Sequence, residues 1–310
     1  MPGIKSEIRK SYLLDKYVII TPGRAARPRD IKEETIINRV KSCPFCPENI
    51  NQANTTDRLP AADSRKNWQV LAIKNTFPAV ELSNKKAYGA QGVIIETPVH
   101  TKQLADLTET QIAEVFKMYI RRTEAMAKNK KIKYILCFKN QGSKAGASIV
   151  HAHSQVFATA IIPRELTEEA MAVKNYRAKT GRCPYCDIIK KEMKGKRKIF
   201  ADQHLAAFTP YASEYHYESW IFPKRHLDNI TMLNADEIKS LAKILKRILV
   251  KMQALDLSFN YFLHNAILDK NQHFYLKIQP RDSIWAGVEL GSGIVINSVS
   301  PEKAAKYLKS

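Results

Sequence analysis

The stretch AGASIVHAHSQVFATAIIP (145–163) sets His151, His153 and Gln155 at alternate positions of an apolar run. Alternate residues of a β-strand share one face, about 6.5–7 Å apart. The pattern predicts a strand that presents two imidazoles and an amide to the same side. Such a row has two chemical readings. Both rings can chelate one metal ion, as in a zinc hydrolase, or one ring can bind metal while the other stays free for chemistry. No carboxylate base lies nearby in sequence. The preceding NQGSKAGAS (140–148) supplies Gly142, Gly146 and Ser148, whose backbone and hydroxyl groups can approach a phosphate closely. A neutral imidazole facing such donors is suited to attack phosphorus, with Gln155 donating to the phosphoryl oxygens.

Working outward, the chain repeats itself. Four of its five cysteines form the pairs CPFC (43–46) and CPYC (183–186). The first lies in a polar, Asn-rich segment, the setting of a zinc knuckle and not of a redox helix. Cys137, in the apolar run YILCF, reads as a core residue. Each pair is followed by a strand ending near a histidine, a helix, a second strand, a loop, and a strand opened by a histidine. Aligning His100 with His226 places Leu107 on Leu233 and Ile112 on Ile238 without a gap. Thr108 and Asn234 coincide as N-caps. The stripes Ile112, Val115, Phe116, Tyr119, Ile120 and Ile238, Leu241, Leu245, Ile248, Leu249, Met252 bury one face of each helix.

The series yields two Cys₂His₂ sets, each a complete tetrahedral complement for zinc. They are Cys43, Cys46, His100 and His151, then Cys183, Cys186, His226 and His273. His264 competes with His273 for the last place, but matching the strand-end residues Asn140 and Asn265 sets it on Lys139, ahead of the loop. The strand also contains an internal control. His151-x-His153-x-Gln155 in the first copy becomes His273-x-Tyr275-x-Lys277 in the second. The metal ligand recurs, whereas the second histidine and the glutamine occur once. One copy then carries chemistry and the other scaffold.

The totals fit an enzyme of this kind. With 310 residues and 45% apolar content, two globular halves are affordable. The expected fold is α+β: a half at 1–164 with nucleophile and first zinc, and a half at 165–310 with the second zinc. A helical joint is expected near 164–182. No apolar segment reaches bilayer length and MPGIKSEIRKSYLLDKYVII lacks a signal block, so a cytoplasmic protein is expected. The net charge of +20 suits an anionic small molecule by long-range attraction. The run KKEMKGKRK (190–198) lacks the aromatics a single-strand groove uses for stacking. It reads as a solvated face, and a nucleic-acid partner is not expected.

At FKNQGSKAGASIVHAHSQVFA the chain resembles galactose-1-phosphate uridylyltransferases, a family of the histidine-triad superfamily built from two repeats. RKSYLLDKYVIITPGRAARP (9–28), KNTFPAV (74–80), ETPVH and GVELGSGIVINSVSPEKAA (287–305) extend the likeness over nearly the whole chain. The resemblance implies that His153 carries the nucleotidyl group and Gln155 holds its phosphate. It further implies that Asn140 and Ser148 contact phosphates, that Arg24, Arg27 and Asn75 surround the nucleotide, and that Glu289 meets the hexose. It implies two zinc ions per chain and a homodimer with shared active sites. The implied reaction is ping-pong transfer of UMP from UDP-glucose to galactose-1-phosphate. ADP-glucose or a dinucleoside polyphosphate, with phosphate as acceptor, is the alternative donor. Ala152 stands where the family usually has proline, and Val288 where a tyrosine is common.

Overall fold

The computed structural model describes residues 6–26, 42–59, 68–269 and 271–310. Its strands and helices follow the expected series. The first half contains β1 (Glu7–Lys10), β2 (Tyr17–Ile20), β3 (Thr55–Leu59), β4 (Val70–Lys74), β5 (Gly89–Ile95), α1 (Glu109–Ala127), β6 (Tyr134–Gln141) and β7 (His153–Thr159). Helix α2 (Arg164–Thr180) forms the joint. The second half contains α3 (Pro184–Glu192), β8 (Lys198–Ala201), β9 (Leu205–Phe208), β10 (Ser219–Pro223), α4 (Ala235–Ala254), β11 (Phe259–His264) and β12 (Tyr275–Pro280). The tail contributes α5 (Gly287–Ser292), β13 (Val295–Asn297) and α6 (Pro301–Lys309).

Both long helices start where their caps require. Thr108 accepts from the Gln111 amide while the Gln111 side chain returns to the Thr108 amide, and Asn234 and Glu237 repeat this reciprocal cap at α4. The two apolar stripes are buried, with Ile120 half-buried at the margin. They pack on one face of a single antiparallel sheet ordered β3-β4-β5-β7-β6-β11-β12-β10-β9-β8. The expected sheets of the two halves thus join edge to edge, where β6 pairs antiparallel with β11. The order reads the same from either end once each strand is exchanged for its counterpart. A small sheet, β1-β2-β13, holds the tail.

The register corrects one equivalence. Phe138 pairs with Gln155 across β6 and β7, and Phe262 pairs with Lys277 across β11 and β12. With Gln155 matched to Lys277, His264 takes the place of Asn140, not of Lys139. A shift of one residue moves a side chain to the opposite face. Lys139 therefore lies on the helix-covered face and His264 on the other. Cys137 is a buried core residue, as expected.

Candidate active site and metal centres

Cys43, Cys46, His100 and His151 converge, with one ligand atom from each within 4.8 Å of the others. The turn Cys43–Cys46 closes through a backbone bond of 3.2 Å. His151 Nδ1 lies 3.7 Å from Cys43 Sγ and 3.8 Å from Cys46 Sγ, and His100 Nδ1 lies 3.5 Å from Cys46 Sγ. Zinc–ligand bonds of about 2.3 Å to sulfur and about 2.05 Å to nitrogen at tetrahedral angles set S and N about 3.6 Å apart. The group fits such an ion. On its far side His151 donates Nε2–H to the Thr97 carbonyl at 2.7 Å, which fixes the tautomer that offers Nδ1 to the sulfurs.

His153 uses the opposite nitrogens. Strand β7 begins at His153, one bend after His151, and His153 donates Nδ1–H to the His151 carbonyl at 2.8 Å. Among the described residues its Nε2 has no hydrogen-bond partner, and the ring is outside the metal-ligand group. Burial, and after it the Lys139 ammonium, lowers its pKa below the usual imidazole range, which favours the neutral ring. The shared-chelate reading does not fit this geometry. Phe45, between the two first cysteines, packs on His153 with ring centroids 5.0 Å apart. The metal turn thereby buttresses the free imidazole.

Gln155 is oriented by a neighbour that sequence reasoning missed. Gln91 accepts from the Ala79 amide at 2.9 Å and donates to Gln155 Oε1 at 2.9 Å. The Gln155 amide nitrogen remains as a donor. Asn140 is held similarly by Asn260, which donates at 2.8 Å to Asn140 Oδ1 and at 2.8 Å to the Ala145 carbonyl. Gly142 adopts φ +82°, and any Cβ there would strike Ser258. Gly146 adopts φ +81° in open space, and Ser148 is exposed on the same loop. Beneath His153, fully buried Lys139 donates to Glu96 at 2.7 Å and to the His153 carbonyl at 2.9 Å. No local pattern announced Lys139, Glu96 or Phe45, since each acts across strands.

Of the remaining residues, Asn75 stands beside Gln91, donating its backbone amide to the Gln91 carbonyl at 3.2 Å. Asn75 caps its own turn, accepting from the Phe77 amide at 2.9 Å. Glu289 accepts from the Ala286 amide at 3.0 Å and the Ile296 amide at 3.3 Å, and Arg24 is an exposed neighbour that acts on its charge. Glu289 belongs to the tail and Arg24 to the turn after β2, which pairs with β13, where Asn297 donates to the Ser213 and Tyr215 carbonyls ahead of β10. Four strand spacings, about 19 Å, separate β10 from β7. Arg27 lies outside the described residues.

In the second half Cys183, Cys186 and His226 converge, with Cys186 Sγ 3.6 Å from His226 Nδ1. His273 stands beside them, its ring centroid 5.0 Å from that of His226, but outside the close group. It faces the Phe274 carbonyl through Nδ1 at 3.0 Å, which leaves Nε2 buried without a hydrogen-bond partner among the described residues. Burial pushes its pKa down to about 4. A neutral, orphaned Nε2 is what a fourth ligand requires. His264 is not part of the group, because its Nε2 bonds Glu169 at 2.8 Å.

Fold and site together define an α+β protein of two similar halves sharing one antiparallel sheet, with clustered cysteines and histidines in each. The sequence model for the N-terminal domain of galactose-1-phosphate uridyl transferase matches residues 3–163, and a model for a domain of unknown function matches 92–309. ADP-glucose phosphorylase of Arabidopsis thaliana is 32% identical over 98% of this chain and 92% of its own length. Galactose-1-phosphate uridylyltransferase of Thermotoga maritima is 28% identical over 98% of each. A crystal structure of the Arabidopsis thaliana phosphorylase with bound ADP-glucose superposes with TM-score 0.87 at 31% identity, covering 99% of both chains. A uridylyltransferase structure gives TM-score 0.77 at 27% identity over 98% of both. The chain belongs to the galactose-1-phosphate uridyl transferase family. No helix among the described residues is long and apolar enough to cross a membrane.

Proposed function

We propose that this chain is a nucleotidyltransferase in which His153 carries the nucleotidyl group between two phosphate compounds. The observation behind this reading is the opposed use of nitrogens along one strand. His151 turns Nδ1 to the sulfurs, whereas His153 ties Nδ1 to a carbonyl and keeps Nε2 free. Nε2 attacks the α-phosphorus of a nucleotide sugar. The N–P bond forms as the P–O bond to the sugar phosphate breaks, and sugar-1-phosphate leaves. An acceptor phosphate oxygen then attacks, the N–P bond breaks, and the lone pair returns to Nε2. Nδ1–H stays on the His151 carbonyl throughout, where it offsets the positive charge of the substituted ring. The Gln155 amide donates to the phosphoryl oxygens as charge builds, and Asn140, Gly142, Gly146 and Ser148 line the phosphate path.

Each half has a part: 1–164 supplies the nucleophile, and 165–310 supplies scaffold and tail. Two zinc ions per chain hold the cysteine turns and stay out of the transfer. Thiolate ligands suit a reducing compartment such as the cytoplasm. Because Arg24 and Glu289 stand strands away from His153, we assign the sugar-phosphate contact to the tail of a second copy in a homodimer.

For the donor, UDP-glucose with galactose-1-phosphate as acceptor follows from the family model. ADP-glucose with phosphate as acceptor is favoured by the 32% identity and the TM-score of 0.87 to the phosphorylase. Intact-mass measurement after incubation with each donor separates the two. One UMP or one AMP is expected per chain, and none on His153→Ala. Absence of an adduct from every donor would overturn the reading.

A further inference from the structure

The turn at 75–80 is seated on β5 and its flank. The Asn75 amide donates to the Gln91 carbonyl at 3.2 Å, and the Ala79 amide donates to Gln91 Oε1 at 2.9 Å. At Gly89 any Cβ would strike Val80 and the Ala158 carbonyl, so the missing side chain lets the turn lie against the strand. Gln91 Nε2 then donates to Gln155 Oε1 at 2.9 Å. Gln91 stands opposite Phe157 and Val93 opposite Gln155. The two glutamines are thus diagonal neighbours on one face, a placement from which long side chains meet.

A carboxamide has an acceptor end and a donor end, and an isolated glutamine can present either. Here the direction is forced from the backbone outward. The Ala79 N–H can only donate, so Gln91 turns Oε1 to it and Nε2 away. That Nε2 can only donate in turn, so Gln155 must face it with Oε1. Gln155 Nε2 is then the end left for a phosphoryl oxygen.

The second half repeats the arrangement with charges. Trp220 stands opposite Lys277 as Val93 stands opposite Gln155, so Glu218, two residues earlier, takes the place of Gln91. Glu218 Oε2 likewise accepts from turn amides, those of Glu214 at 2.8 Å and Tyr215 at 3.3 Å, and Oε1 accepts from Trp220 Nε1 at 2.8 Å. The ammonium of Lys277 has no acceptor end to be steered. In the first half the partner is an amide, and its orientation depends on Gln91.

We propose that Gln91 is a positioning residue for nucleotidyl transfer, carrying the polarity of the Ala79 amide to Gln155 and so fixing the donor that meets the phosphoryl group. This rests on the transferase reading above. Without Gln91 the Gln155 amide can turn either end to the phosphate, and one of the two sets oxygen against oxygen. Charge on the phosphoryl oxygens grows during transfer, so the loss falls on the transfer step more than on donor binding.

Single-turnover loading of His153, followed by intact mass over a range of donor concentrations, tests this on the full chain. Gln91→Met keeps the length and removes both polar ends. It should slow loading at saturating donor about tenfold, less than the loss of the donor itself, with half-saturation close to the parent's. Gln155→Met, which removes that donor, should slow loading about a hundredfold. A positioning residue acts through its partner, so the double variant should load at the rate of Gln155→Met alone. The proposal is overturned if Gln91→Met loads as the parent does, or if it raises half-saturation without slowing transfer. It is equally overturned if Gln91→Met slows the Gln155→Met variant by the factor it slows the parent. Should Gln91→Met not fold, Gln91→Ala decides by the same cycle. A parent that takes no nucleotidyl group from any donor would overturn the transferase reading itself, and this proposal with it.

Discussion

Lys139 and Glu96 form an ion pair with exposures of 1% and 0%. The ammonium also holds the His153 carbonyl, and Glu96 Oε1 has no partner among the described residues. Removing one partner of a buried pair strands the other charge, at about 3–5 kcal/mol, whereas replacing both by apolar groups is often close to neutral. Lys139→Met should lose that much stability in urea unfolding, and Lys139→Met with Glu96→Leu should recover most of it. Activity should not return with stability, because the double variant still lacks the donor beneath the His153 backbone. A parallel recovery of both would reduce Lys139 to a packing residue. Single residues were legible in the sequence where the pattern was local. The H-x-H-x-Q alternation and the C-x-x-C turns carry their chemistry in adjacent positions. Lys139, Gln91, Phe45 and Asn260 were not legible, since what each touches is set by strand pairing and not by its own neighbours.

Among the elements, the two long helices could be read almost to the residue, because a cap and a 3.6-residue stripe determine a helix from within its own sequence. The β6–β11 junction could not, because nothing in either strand names its partner. The one-residue misplacement of His264 has the same origin: matching two strand-end asparagines counts residues, whereas a sheet counts faces. Helix α2 shows the consequence. It lies against the face of the second half, and Glu169 reaches His264 and the hydroxyls of Tyr185 and Tyr275. Burial alone would raise the Glu169 pKa, but the adjacent His264 and the hydrogen bonds outweigh it and hold it down to about 2. A carboxylate depressed in the folded state stabilises above its unfolded value, near 4.5, and loses that contribution as pH falls towards 2. The loss amounts to about 3 kcal/mol across that window. Stability measured by denaturant between pH 5 and 2 should fall more steeply in the parent than in Glu169→Gln. Parallel curves would mean that α2 is held by packing alone.

For the molecule as a whole, the ten-stranded sheet sets the distance that matters most. His153 lies in the first half, while Arg24 and Glu289 ride on a small sheet attached beside β10. On the proposed dimer reading, a second copy brings its tail to His153. A twofold dimer would supply each His153 with the partner's tail. His153→Ala and Glu289→Ala should each be inactive alone, for different reasons. Mixed and allowed to exchange subunits, half of the dimers would be heterodimers with one intact site of two, and about a quarter of parental activity should return. The recovered activity should grow over the time of subunit exchange and be absent when the variants are mixed at dilutions that prevent it. If the mixture stays inactive although exchange is demonstrated by mass, the tail serves its own chain or none, and Glu289 acts only as the cap of α5 that its bond to the Ala286 amide describes.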